Sequence, residues 1–68
     1  MNNLIKEVGT DVKLLRVEKG LTQTPFAKKV GISVPTLSSI ERGYGNVSLK
    51  SLVKIYQAFG ERISFIRE

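Results

Sequence analysis

The chain has 68 residues, 41% of them hydrophobic and 25% charged, which allows one domain with one small core. It contains no cysteine and no histidine, which excludes disulfide staples, thiolate metal sites and histidine-based acid–base or zinc chemistry. The net charge of +5 suits a polyanionic partner but equally an ordinary basic domain, so a motif has to decide between them. Stability has to come from helix packing, with a partner subunit as a further source. No apolar run approaches membrane-span length, and the N-terminus shows no signal-peptide pattern.

Residues 1–20 read as the first helical segment. Leu4, Ile5, Val8, Val12 and Leu15 recur at helical spacing and predict one buried stripe, with Asn2 or Asn3 as the cap. Gly9 and Thr10 interrupt the pattern, and a glycine inside a helix costs about 1 kcal/mol relative to alanine. Either one helix runs from about Asn3, or an arm over 1–8 precedes a helix from Thr10. The longer helix is the expectation. Gly20 ends it in a left-handed conformation.

The stretch Leu21 to Gly43 organises the chain as two short helices joined at Gly31. Thr22 is placed to cap the first and Ser33 the second, because a hydroxyl oxygen can accept from a free N–H in the first turn. Pro25 and Pro35 follow within those first turns, where their missing N–H and fixed φ are tolerated. The first of the two helices spans about Gln23 to Val30, the second about Val34 to Arg42. Leu21, Phe26, Ala27, Val30, Ile32, Leu37 and Ile40 face inward. Ser33, Thr36, Ser38 and Ser39 are left outward, and Lys28 and Lys29 project from the later half of the first helix. A short, uncharged, small-residue face in a basic protein has the shape to enter a groove of DNA.

Beyond Gly43 the run GYGNVS reads as a loop. Ser48 is placed to cap a fourth helix carrying Leu49, Leu52, Val53, Tyr56 and Phe59, closed by Gly60. The tail from Glu61 to Glu68 contains the β-formers Ile63, Phe65 and Ile66. A lone terminal strand cannot satisfy its own backbone, so the same tail on a second copy is its expected partner. A fifth short helix or an unstructured end is the alternative. The expected organisation is therefore residues 1–60 as one DNA-binding domain, with the two-helix unit at 22–42, and 61–68 as a dimerisation tail.

The residues Leu15-Arg16, Gly20-Leu21-Thr22-Gln23, Phe26-Ala27, Gly31-Ile32-Ser33, Thr36-Leu37-Ser38, Ile40-Glu41-Arg42-Gly43 and Ser48-Leu49 resemble the Cro/C1-type helix-turn-helix family. The match covers about residues 9–60. It implies an all-α, lambda-repressor-like bundle of four or five helices whose third helix enters the major groove. It implies an ion pair between Arg16 and Glu41. It also implies a bacterial cytosolic location, on or near the nucleoid. The Ser48-Leu49 helix and short tail further resemble the antitoxin subunits of kinase-type toxin–antitoxin modules, which makes a cognate toxin a second expected partner beside double-stranded DNA and a second copy.

By the same resemblance, base edges are met by Ser33, Val34, Pro35, Thr36, Ser38 and Ser39. None of these offers the two-point match of Arg, Lys, Asn or Gln to a base, so thymine methyl contacts and DNA shape are expected to matter more. Backbone anchoring is expected from Gln23, Thr24, Arg42, Tyr44, Asn46 and Lys50. Such contacts set register without carrying sequence information. No metal or cofactor is expected. With no histidine, no cysteine and no carboxylate pair at catalytic spacing, an enzyme is the disfavoured reading.

Overall fold

Residues 2–44 and 48–61 are described by the computed structural model. They form four helices in order, α1 (Asn2–Glu18), α2 (Gln23–Val30), α3 (Val34–Arg42) and α4 (Leu49–Ala58). There is no strand among the described residues. The expected tail strand with Ile63, Phe65 and Ile66 lies outside them, as does Asn46.

α1 is continuous through Gly9 and Thr10, which is the longer helix expected, and the alternative of an arm over 1–8 does not occur. Gly9 is buried where α1 crosses the end of α3. A Cβ built on it would collide with the Ile40 carbonyl oxygen and sit 3.1 Å from that of Glu41. The glycine weakens the isolated helix by about 1 kcal/mol but permits this backbone approach. α1 then overruns the end of α3, and the stem of Lys6 lies on Gly43.

The core is built from Val12 and Leu15 of α1, Phe26, Ala27 and Val30 of α2, Leu37 and Ile40 of α3, and Leu52 and Ile55 of α4. Burying each large apolar side chain contributes about 1.5–3 kcal/mol. Phe26 stacks on Phe59 with ring centroids 4.9 Å apart, which ties α2 to the end of α4. Two residues of the predicted stripes stay outside. Leu4 is 66% exposed, because α1 there has passed the end of α3. Leu49 is 61% exposed, because α4 enters the core one turn later, at Leu52.

α1 begins at Asn2, so the expected caps Asn2 and Asn3 stand inside the helix and not before it. The other helix starts and stops follow the sequence except in one place. At the α2–α3 turn, Gly31 has φ +90°, a left-handed conformation that costs a glycine nothing. Its N–H and that of Ile32 both reach the Ala27 carbonyl, at 2.8 and 3.1 Å. Ser33 caps α3 by accepting from the Thr36 N–H at 3.2 Å, and Ser48 caps α4 by accepting from the Ser51 N–H at 3.0 Å. Thr22 is the exception. Its backbone is extended as a cap requires, yet its side chain makes no cap hydrogen bond. Pro25 occupies the third helical position and has no N–H to give, and Thr22 leaves the Thr24 N–H untouched as well.

Candidate nucleic-acid interface

A four-part network fixes how α3 is held. Arg16 Nε donates to Glu41 Oε2 at 2.7 Å and its Nη2 donates to Oε1 at 3.1 Å, a two-point grip on the carboxylate. Arg16 Nη1 donates to the Leu21 carbonyl at 2.9 Å. Gln23 Nε2 donates to Glu41 Oε1 at 3.2 Å. The Arg16 and Glu41 side chains are only 13% and 4% exposed. One carboxylate at the end of α3 thus binds the end of α1 and the start of α2. Loss of either charge would strand the other in a nearly dry site.

With α3 held this way, its outer face presents Pro35, Thr36 and Ser39. Together with Ile40, Tyr44, Ser48 and Ser51 they line one shallow surface groove. Ser33 and Thr36 are exposed and bonded to each other, Ser33 Oγ donating to Thr36 Oγ1 at 2.8 Å. Ser33 therefore spends both its donor and an acceptor lone pair on the cap, while the Thr36 hydroxyl keeps its own proton to give. Val34 is half-buried and packs against the core, so much of its surface is already used. Ser38 and Ser39 are half-exposed.

Of the expected anchoring residues, Thr24, Arg42, Tyr44 and Lys50 are exposed. Arg42 is exposed and its guanidinium lies over the Tyr44 ring, 4.8 Å from the centroid. This cation–π pair was not anticipated, although a tyrosine two residues after an arginine across a helix-ending glycine is a usable signal. Thr24 and Lys50 are exposed at the starts of α2 and α4. The Gln23 side chain was expected to reach a phosphate and instead holds Glu41. The backbone N–H groups of Gln23 and Thr24 have no side-chain cap, which leaves the start of α2 open to an anion. The Gln23 amide bond to Glu41 and the packing role of Gly9 were both missed from sequence.

The described residues hold no group of three or more His, Cys, Asp or Glu side chains suited to a metal ion. No helix among them is long and apolar enough to cross a membrane. A second groove, sharing no residue with the first, is lined by Asp11, Leu14, Leu15, Val17, Glu18, Tyr56 and Glu61. Burial, and then the charges of Asp11 and Glu61, push the Tyr56 hydroxyl above its usual range.

Residues 12–66 match the Helix-turn-helix family model. The chain belongs to the helix-turn-helix family. Within it, the chain is 44% identical over 55 residues to the uncharacterized HTH-type transcriptional regulator y4dJ of Sinorhizobium fredii, covering 81% of this chain and 71% of that one. It is 38% identical over 52 residues to the antitoxin HipB of Escherichia coli, covering 76% of this chain but only 55% of the antitoxin's length. The helix-turn-helix fold superposes on the crystal structure of the restriction-modification controller protein C.AhdI from Aeromonas hydrophila with a TM-score of 0.82. That match has 30% identity and covers 90% of this chain and 88% of the other. In this helix-turn-helix unit α2, Gly31 and α3 are the three named parts, and the Arg16–Glu41 grip ties the end of α3 to α1.

Proposed function

We propose that this protein is a sequence-specific double-stranded DNA-binding transcriptional regulator, a repressor acting as a homodimer on a palindromic operator in the bacterial cytoplasm. The observation that carries this is the outer face of α3. It is uncharged and built of small side chains, and in this reading both its flanks meet phosphate. On one side stands the uncapped start of α2 with the Gln23 and Thr24 N–H groups. On the other stands Arg42 over Tyr44, and Lys50 is exposed at the start of α4; Asn46, outside the described residues, is a further phosphate contact in this reading. Pro35, Thr36 and Ser39 meet base edges, with Ser33, Val34 and Ser38 bordering them. Specificity then comes from single hydroxyl contacts, thymine methyls and groove shape.

One α3 covers about half a turn of groove, and two related by a two-fold axis cover half-sites about 34 Å apart. Ile63, Phe65 and Ile66 of the tail supply the dimer contact in this reading. Kinship with a HipB antitoxin supports a second role, in which the same domain also holds a toxin protein.

Selection of bound duplexes from a random pool tests the main reading. The expected product is a palindrome with half-site centres about 10 base pairs apart. Arg42→Ala should weaken binding to every selected sequence alike and reduce the salt slope by about one. A pool that shows no enrichment would sink the proposal.

A further inference from the structure

The first half of α1 has no part in the contacts proposed so far, yet it ends at the same place as two of them. Where α1 overruns α3, a Cβ on Gly43 would sit 2.9 Å from Lys6 Cγ and 3.2 Å from Lys6 Cα. Gly43 joins Arg42 to Tyr44, whose ring lies under the Arg42 guanidinium. Lys6 of α1, Arg42 at the end of α3 and Tyr44 just beyond it therefore adjoin one turn of backbone. Lys6 is exposed, and among the described residues the ion pairs are Arg16–Glu41 and Lys19–Glu61, neither of which uses it. Its stem packs against Gly43, and among the described residues its ammonium makes no ion pair, although Glu7 and Asp11 line the same surface depression. A cation held in this way has less rotamer freedom to lose when it meets an anion.

We infer that Lys6 is a further phosphate-contacting residue, which with Arg42 and Tyr44 clamps the DNA backbone at the C-terminal end of α3. This rests on the DNA-binding reading above. A lysine ammonium is a point charge without a preferred plane, so Lys6 adds affinity and salt dependence but no sequence preference. Gly43 keeps the clamp closed. Any side chain there would push the Lys6 stem away, besides being strained at φ +74°.

The test uses the full chain and a mixed-sequence duplex of about two helical turns, with affinity measured against salt. Lys6→Met keeps an apolar stem and removes the charge. Its log–log salt slope should be shallower by about 0.9, so the unaltered protein's advantage shrinks about 3.5-fold between about 50 and 200 mM salt. Lys6→Arg should restore the slope. Lys29→Met removes the same charge from a lysine that lies over the Phe59 ring at 5.5 Å, and should leave the slope as it was. An unchanged slope in Lys6→Met, or an equal change in both Met variants, overturns the clamp. In either case a shallower slope in Arg42→Ala leaves the DNA-binding reading standing. Failure of the unaltered protein to bind duplex at any salt overturns that reading, and the clamp with it.

Discussion

Thr22 and Ser33 stand at the starts of α2 and α3 in nearly the same backbone, with φ −81° and −79° and ψ 177° and 155°. Both carry a hydroxyl, and each is followed within three residues by a proline. Ser33 closes its helix and Thr22 does not. The difference is one position. Pro35 is the second helical residue, so Thr36 at the third still has an N–H for Ser33. Pro25 is the third, and the donor that a cap most needs is gone. A closed start stabilises the fold by about 1 kcal/mol. An open start forgoes that and leaves N–H groups for a ligand anion. The two helix starts of the helix-turn-helix unit thus differ by the register of a proline, that of α3 closed and that of α2 left open, as the proposed phosphate contact requires.

The largest expected effect comes from removing what ties the start of α2 and the end of α3 to α1. Glu41→Ala strands Arg16 and releases the Gln23 amide, and unfolding free energy should fall by about 3–5 kcal/mol in denaturant titrations. Gln23→Ala removes one hydrogen bond to a carboxylate and should cost about 1.5–3 kcal/mol. A Glu41→Ala midpoint within experimental error of the unaltered protein would show that the grip does not carry the unit. Gly9→Ala comes next. Alanine is the better helix former, yet its methyl group meets backbone carbonyls that cannot step aside. A loss of about 1–3 kcal/mol is expected, and a gain would mean that α1 and α3 approach less closely than described.

The bounds of α2 and α3 were legible because their signals are local. Caps, prolines and glycines stand within a few residues of the ends they fix, and Phe26, Leu37 and Ile40 repeat with the helical period. Leu4 and Leu49 fit that same period and are nonetheless exposed, since a period identifies a face and not the length of the neighbour that covers it. The open start of α2 was legible in principle, in the spacing from Thr22 to Pro25. The candidate interface was readable as a set of small side chains on α3 and polar ones at the start of α2 and beyond α3. Which of those side chains were already engaged was not. The Gln23 amide meets a carboxylate 18 residues away, and Gly9 meets Ile40 across a helix crossing. Contacts of that kind exist only once the elements have docked, so no window of sequence contains them.

Smaller effects sharpen the comparison from the helix starts themselves. Ser33→Ala should cost about 1 kcal/mol in thermal or denaturant unfolding. Ser48→Ala should cost about the same, because α4 has Ser51 at its third position and a cap bond of 3.0 Å. Thr22→Ala should stay within about 0.5 kcal/mol, as a surface change that breaks no hydrogen bond. Equal losses at all three positions would mean that Thr22 caps α2 after all.

The smallest expected effect is also the most specific. Pro25→Ala restores an N–H at the third position of α2, and the Thr22 hydroxyl then has a donor within reach. In that background Thr22→Ala should become costly, with a coupling of about 0.5–1 kcal/mol in a double-mutant cycle where the native background gives none. The new N–H would be taken by Thr22, while those of Gln23 and Thr24 would stay open. Affinity for duplex DNA should therefore hold while the stability coupling appears. Coupling accompanied by a loss of DNA affinity would mean that the proline itself, and not the freed N–H groups beside it, prepares α2 for the phosphate.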